Sequence, residues 1–279
     1  SEFDANKDKL NSILDQELFT SKSPIILYCH GNSSSRGATH RIQLYKFFQQ
    51  MDFHTIAFDY RGYGDSTNIH PSEPGVVEDS LMVYEWICSN VLEHQNKPEI
   101  YVWAHSLGTG ISSNMLGNIN SLCLDLLERE KPLPLPKGLI LEAPFNNLAD
   151  EVAKHPLSRL VTWLPYYEKA IVSPFRNCHE FSFNSDVHLK NVDTLPILIL
   201  HAKDDVIVPF DVGVKLFDAI KESRGENGGF LKLHAYESKL GLGHKYICNA
   251  NDLAQVVGID IGMPRWFGHM ERMIDERNL

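Results

Sequence analysis

Three short stretches carry residue types that could do chemistry together. Ser106 lies in "YVWAHSLGTG", where an apolar run gives way to glycines. Asp205 lies in "HAKDDVIVP" and His244 in "GLGHKYI". A serine hydroxyl becomes a useful nucleophile only when a base within hydrogen-bond reach takes its proton and a carboxylate fixes that base. Serine, aspartate and histidine occur here in that chain order, each just past a run that reads as a strand. The expected chemistry is attack of Ser106 on an acyl carbonyl, with His244 as base and Asp205 as its orienting carboxylate.

The turn around Ser106 follows Gly-x-Ser-x-Gly except that Ala104 stands at the first glycine. Small residues are needed two positions either side, because strand and helix backbones approach closely there. Gly108 meets that need, and Ala104 departs from it by one methyl group. The competing reading is an ordinary turn serine. Asp204 neighbours Asp205 and stays open as the alternative acid. Of thirteen histidines, His244 alone falls in the loop after the last expected strand. His30 reads as a buttress of its loop, His201 as a packed strand end, and His105 as diverging from Ser106. The oxyanion donors expected are the backbone amides of Leu107, following the nucleophile, and Asn32 in "HGNSSS".

These loops need a frame that brings them to one edge. Expected strands are 24–29, 54–59, 99–104, 137–143, 195–202 and 230–237, separated by helical patterns over 39–51, 73–92 and the stretch after Ser106, with a last helix in "NDLAQVVG". In the 39–51 helix, Ile42, Tyr45, Phe48 and Gln49 are expected on one side. In the next, Val76, Val77, Leu81, Tyr84 and Ile87 form the buried stripe. Continuous apolar strands alternating with helices predict an α/β fold: a mostly parallel sheet covered on both faces. In such sheets, sites gather at the carboxyl ends of strands, which here offer His30-Gly31-Asn32, Asp59, Arg61, Ser106, Glu142, Asp205 and His244. Residues 1–22 read as a polar amino-terminal segment, 23–258 as one catalytic domain and 259–279 as a tail. Within the domain, about 146–190 breaks the rhythm with prolines and aromatics such as Trp163, Tyr166 and Phe181, and reads as an inserted cap.

Composition narrows the classes. The formal net charge is −10, which argues against nucleic acid as a partner. No apolar run approaches the ~18 residues a membrane-spanning helix needs. Five scattered cysteines give no disulfide framework, and most read as small buried hydrophobes. "GTGISSN" lacks the third glycine of a dinucleotide loop, and nothing has metal-ligand spacing. Acyl transfer by this set needs no cofactor and no metal.

With those residues in view, "YCHGNSSSRGATHR", "FDYRGYGDS", "VWAHSLGTG", "EAPFNN", "HAKDDVIVPF" and "LGHKYI" resemble blocks of the α/β-hydrolase superfamily. They are most similar to the abhydrolase domain-containing protein twelve branch, over roughly residues 22–250. The resemblance implies a serine lipase acting on single-chain lipids, namely lysophosphatidylserine, other lysophospholipids and monoacylglycerol. It also implies an endoplasmic-reticulum membrane location with the catalytic domain luminal, and a membrane anchor expected outside this sequence. Branch members carry glycine at the position of Ala104, and the two antiparallel strands that open their fold are not visible before residue 22. An aromatic cap suits an acyl chain, which gains about 0.8 kcal/mol per buried CH₂. Two rival readings use the same residues: a protein depalmitoylase cleaving thioesters, and a non-catalytic lipid-binding module. Arg36, Arg61, Lys154 and Lys245 are candidates to meet an anionic head group.

Overall fold

The computed structural model describes residues 17–94, 97–154, 181–226 and 228–260. Six strands form one parallel sheet: β1 (Ile25–Cys29), β2 (His54–Ala57), β3 (Ile100–His105), β4 (Gly138–Glu142), β5 (Ile197–Ala202) and β6 (Leu231–Tyr236), in spatial order β2-β1-β3-β4-β5-β6. Side chains alternate across the sheet with the two-residue strand period. Ile25, Leu27 and Cys29 join one core while Ile26 and Tyr28 join the other. Val102 and Ala104 of β3 face the first core, and Tyr101 and Trp103 the second.

Helices cover both faces. On the second face lie α1 (Thr39–Gln50), with Leu44 and Phe48, and the last described helix, α8 (Leu253–Asp260), with Leu253 and Val257. On the first face lie α2 (Glu73–Glu93), α3 (Leu107–Gly117) and, further along the chain, α7 (Phe210–Ser223). Ser72 caps α2 by accepting from the Gly75 amide at 3.3 Å, and Pro74 sits in its first turn. The shorter helices α4 (Ile119–Leu127), α5 (Leu148–Lys154) and α6 (Ser185–His188) fill the connections.

The stripe expected on α2 is buried as predicted, and that on α1 in part: Phe48 is buried and Tyr45 packs partly buried against the second core. Arg41, Leu44 and Phe48 point inward, while Ile42 is 40% exposed and Gln49 faces solvent. A buried arginine breaks the apolar pattern, which hides the inward position of Arg41 and Leu44. Strand β3 runs one residue further than expected, to His105. Cys29, Cys88 and Cys123 are buried thiols. Of the expected cap, 155–180 lie outside the described residues, as do 1–16 and 261–279. Among the described residues no strand precedes β1, and no helix is long and apolar enough to cross a membrane.

From β1 the chain passes to one neighbour, β2, and then returns to β3 on the other side. The connections diverge there, leaving a crevice at the carboxyl ends of β1 and β3. Helix α3 packs tightly beneath it. A methyl group on Gly108 would lie 2.1 Å from the Cys29 carbonyl oxygen and 2.7 Å from its carbon. Backbone cannot yield as a flexible side chain can, so Gly108→Ala is expected to destabilise the fold by ~2 kcal/mol or more, read as a lower urea midpoint at unchanged slope.

Glu142 closes β4, buried against Trp103, whose indole N–H donates to its carboxylate at 2.8 Å. Burial pushes the Glu142 carboxyl up to about 7, against the indole bond that favours its ionised form. A folded-state pKa above the unfolded value gives stability that is present at low pH and lost as pH rises through about 7. Glu142→Gln keeps an acceptor for Trp103 without that ionisation. Its stability relative to the parent should therefore climb between pH 4.5 and 8, by up to the order of 3 kcal/mol, in paired denaturation curves. A pH-independent difference would contradict this.

Candidate active site

Ser106 stands between β3 and α3 with φ 51° and ψ −118°. A non-glycine residue there carries strain of order 1–3 kcal/mol, which persists only where surroundings impose it. Its amide donates to the Glu142 carbonyl at 2.9 Å. Its own carbonyl accepts from the Thr109 amide and hydroxyl, at 2.8 and 2.6 Å. Held at both ends, with Gly108 pressed against β1, the residue lifts its side chain above the sheet. Ala104 is fully buried in the core on the α3 face, so the extra methyl is packed there and the elbow still forms.

The structure brings Ser106, His244 and Asp205 together. His244 Nε2 lies 3.0 Å from Ser106 Oγ, and His244 Nδ1 lies 2.7 Å from Asp205 Oδ2. Asp205 Oδ1 accepts from the Ile207 and Val208 amides at 2.8 and 2.9 Å. Burial alone would raise the Asp205 pKa. Hydrogen bonds from His201 and His244 outweigh it and hold the carboxyl well below the usual carboxylate range. An ionised Asp205 fixes the proton on His244 Nδ1, leaving Nε2 to accept from the serine hydroxyl. Asp204 has a different contact: its Oδ2 accepts from the Gly243 amide at 3.0 Å, tying down the histidine loop. Gly241 and Gly243, at φ 64° and 52°, give that loop its bends.

Two histidines surround this chain of contacts in ways the sequence did not suggest. His105 and His244 lie with ring centroids 4.8 Å apart, and His105 Nε2 is 2.8 Å from the His244 carbonyl. His105 does diverge from Ser106, and in doing so braces the loop that carries His244. Burial pushes its imidazole well below the ordinary value, so at neutral pH it supports without charge. His201, at the end of β5, contacts the Val208 carbonyl at 2.9 Å and Asp205 at 3.5 Å.

The "HGNSSS" loop reaches the serine from β1. A methyl on Gly31 would meet His105 Nδ1 at 2.8 Å and Ser106 Cβ at 3.1 Å, so glycine is what lets Asn32 come close to the nucleophile. Leu107 opens α3, and an opening helical amide has no carbonyl four residues back to donate to. The loop's shape is set by Arg41, 1% exposed, whose guanidinium donates to the carbonyls of Gly31, Asn32, Ser33 and Ser35. With the carbonyls drawn toward the arginine, two successive serines, Ser33 and Ser34, are held at φ 62° and 60°. Arg41 left one sequence signal, a lone cation at helical spacing from Leu44 and Phe48. His30 Nδ1 contacts the Gly31 carbonyl at 2.8 Å, the buttress expected of it.

Other strand-end candidates are occupied elsewhere. Asp59 accepts from the Arg36 amide and pairs with the Arg36 guanidinium, which also binds Asp65. Arg61 is spent on Asp79 and Glu78 of α2. Glu142 holds Trp103 rather than the imidazole. The Lys154 side chain lies outside the described residues. Lys245, beside His244, lines a cavity of about 390 Å³ next to Ser106, together with Asn32, Ser33 and His40.

Residues 24–126 match the family described as the alpha/beta hydrolase fold. The chain is 37% identical over 253 residues to the lysophosphatidylserine lipase ABHD12 of Danio rerio, covering 91% of this chain and 62% of that protein. It is 38% identical over 242 residues to the Bos taurus protein of the same name, covering 87% and 56%. Protein ABHD12B of Homo sapiens is 32% identical over 231 residues, covering 83% and 58%. The chain thus spans less than two thirds of the length of each of these relatives. Among solved structures, the Pyrococcus furiosus esterase Pf2001 matches with a TM-score of 0.60 at 17% identity, over 86% of this chain and 81% of that one. EstE5, soaked with p-nitrophenyl butyrate, matches at 0.58 and 18% over 92% and 79%, a likeness of fold alone. Sheet, elbow and relatives agree: the chain has the α/β-hydrolase fold and is similar, along most of its length, to proteins named lysophosphatidylserine lipase.

Proposed function

We propose that the protein is a serine esterase that removes the acyl chain from single-chain lipids, lysophospholipids and monoacylglycerol among them. The observation that carries this reading is the unbroken contact chain from Ser106 Oγ through His244 to Asp205, at 3.0 and 2.7 Å. The lipid class rests on the likeness to proteins named lysophosphatidylserine lipase. The resemblance of its motif blocks to the abhydrolase domain-containing protein twelve branch extends the proposal to work at the endoplasmic-reticulum membrane, with this domain on the luminal side.

In the first half-reaction Ser106 Oγ bonds to the ester carbonyl carbon while His244 Nε2 takes the hydroxyl proton. The carbonyl becomes an oxyanion facing the Asn32 and Leu107 amides, a class of donor whose single loss costs roughly 10²–10³ in rate. The carbon–oxygen bond of the ester then breaks. His244 returns its proton to the departing alcohol, leaving the acyl group on Ser106. Water, deprotonated by the same imidazole, attacks the acyl carbon, and the fatty acid leaves as Ser106 recovers its proton. Asp205, kept ionised by its histidine contacts, stabilises the imidazolium formed in each half.

Two outcomes test this. Ser106→Ala should abolish fluorophosphonate labelling and turnover of a lysophospholipid; stoichiometric labelling that persists in the variant refutes the assignment. Asp205→Asn should lower kcat by roughly 10⁴ with little change in KM, since it leaves the imidazole in the wrong tautomer. Asp204→Asn, which keeps an acceptor for Gly243, should stay within about tenfold of the parent. Equal losses in the two variants would contradict the division of roles between these neighbours.

A further inference from the structure

The cavity beside Ser106 has an electrostatic character opposite to that of the chain. The protein carries −10 overall, yet among the described residues no acidic one lines this cavity, and two cations, Arg41 and Lys245, do. Arg41 is 1% exposed, and among the described residues it bonds only backbone carbonyls, with no carboxylate to neutralise it. Its Nε is buried without a partner. Asp59, which faces the same loop, is already engaged by Arg36. A buried guanidinium without a counter-ion is costly unless some anion completes it.

The cavity wall also contains Gly37, Ala38 and Thr39, the start of α1. The N-cap there is Ala38, which offers no side-chain acceptor, and the first turn holds no acidic residue. The Arg41 amide donates to the Ala38 carbonyl, which leaves the Thr39 and His40 amides of this twelve-residue helix without a side-chain cap, at the positive end of its dipole. Ser33 and Ser34 add exposed hydroxyls. His40 Nε2 is a further buried atom without a partner. Lys245, exposed and without an ion pair among the described residues, also lines the cavity.

Position identifies which part of a substrate this pocket receives. The alcohol half of an ester must leave next to His244, which protonates it, and Lys245 and Tyr246 follow His244 directly on the cavity wall. A polar, cationic lining repels an acyl chain and suits a charged alcohol. We propose that this cavity is the head-group subsite for a phosphodiester-bearing single-chain lipid, with Lys245 and the opening amides of α1 meeting the phosphate in the field of Arg41. The assignment rests on the esterase reading above and deepens it. Among the four cations that sequence left as candidates, Arg36 and Arg61 are consumed by carboxylates, whereas Lys245 faces the site.

Binding can be measured apart from turnover by using Ser106→Ala protein. Calorimetric titration with short-chain lysophosphatidylserine and with the monoacylglycerol of equal chain length gives an anionic-over-neutral affinity ratio. That ratio should favour the anionic lipid, fall by about tenfold or more when Lys245→Met is added, and recover in Lys245→Arg, as expected for a charge-assisted hydrogen bond. A ratio unaffected by Lys245→Met, or the absence of any anionic preference, overturns the subsite. Inorganic phosphate titrated alone separates lipid head group from free ion: phosphate binding as tightly as the lipid, and dependent on Lys245, overturns the lipid assignment. Nitrophenyl ester turnover by the unmutated protein is read separately. Selective binding without turnover sinks the esterase reading alone, and turnover without a Lys245-dependent ratio sinks the subsite alone.

Discussion

The contact on which the site depends is between two stretches of backbone. Gly108 brings the first turn of α3 against the carbonyl that ends β1, with no room for a methyl group. That approach forces the chain to reverse in one residue between β3 and α3, and Ser106 is the residue left at φ 51°. The strain is met by hydrogen bonds at both ends of the residue and by a core that is fully closed beneath it. Because the crevice at the diverging strands β1 and β3 lies at the same place, the strained serine and the "HGNSSS" loop meet without either having to reach far.

Around that point, preorganisation comes from groups outside the Ser106–His244–Asp205 contact chain. Arg41 gathers four carbonyls and so shapes the loop that carries Asn32. His105 braces His244 through its carbonyl, His201 sits against Asp205, and Asp204 fastens Gly243. Hydrogen-bond donors fixed in this way need no reorganisation when charge develops, which is where most of their catalytic value lies. Burial keeps His105 uncharged beside His244, so in the proposed esterase cycle an imidazolium on His244 would meet no cationic ring there.

The electrostatics of the region divide the molecule. Acidic residues dominate the chain as a whole, but those near the site are turned to structural use: Asp59 and Asp65 on Arg36, Asp79 and Glu78 on Arg61, Glu142 on Trp103. Among the described residues, that spending leaves Arg41 and Lys245 without a facing carboxylate in the cavity lining. A field of one sign inside a cleft with low-dielectric walls acts more strongly than the same charges on an open surface.

Sequence by itself determined the architecture and the nominees for chemistry. Strand runs of apolar residues and the order Ser, Asp, His are one-dimensional signals, and α2's stripe and β1, β3 and β5 could be placed within a residue or two. Whether Ala104 could replace glycine was not legible, because the answer lies in how much space the core leaves around one methyl group. Spacing from the Val-Pro that closes the loop favoured Asp205 over Asp204, and the fold places Asp205 on the imidazole; that Asp204 would face Gly243 instead was not legible, because it depends on a loop far away in the chain. Arg41 was hidden for a related reason. A cation reads as surface until tertiary structure surrounds it with carbonyls, and the inward position of Leu44 on α1 was hidden with it. Hydrogen-bond partners far apart in the chain, such as His105 with residue 244 or Arg41 with its loop, are set by packing, and no local pattern encodes them.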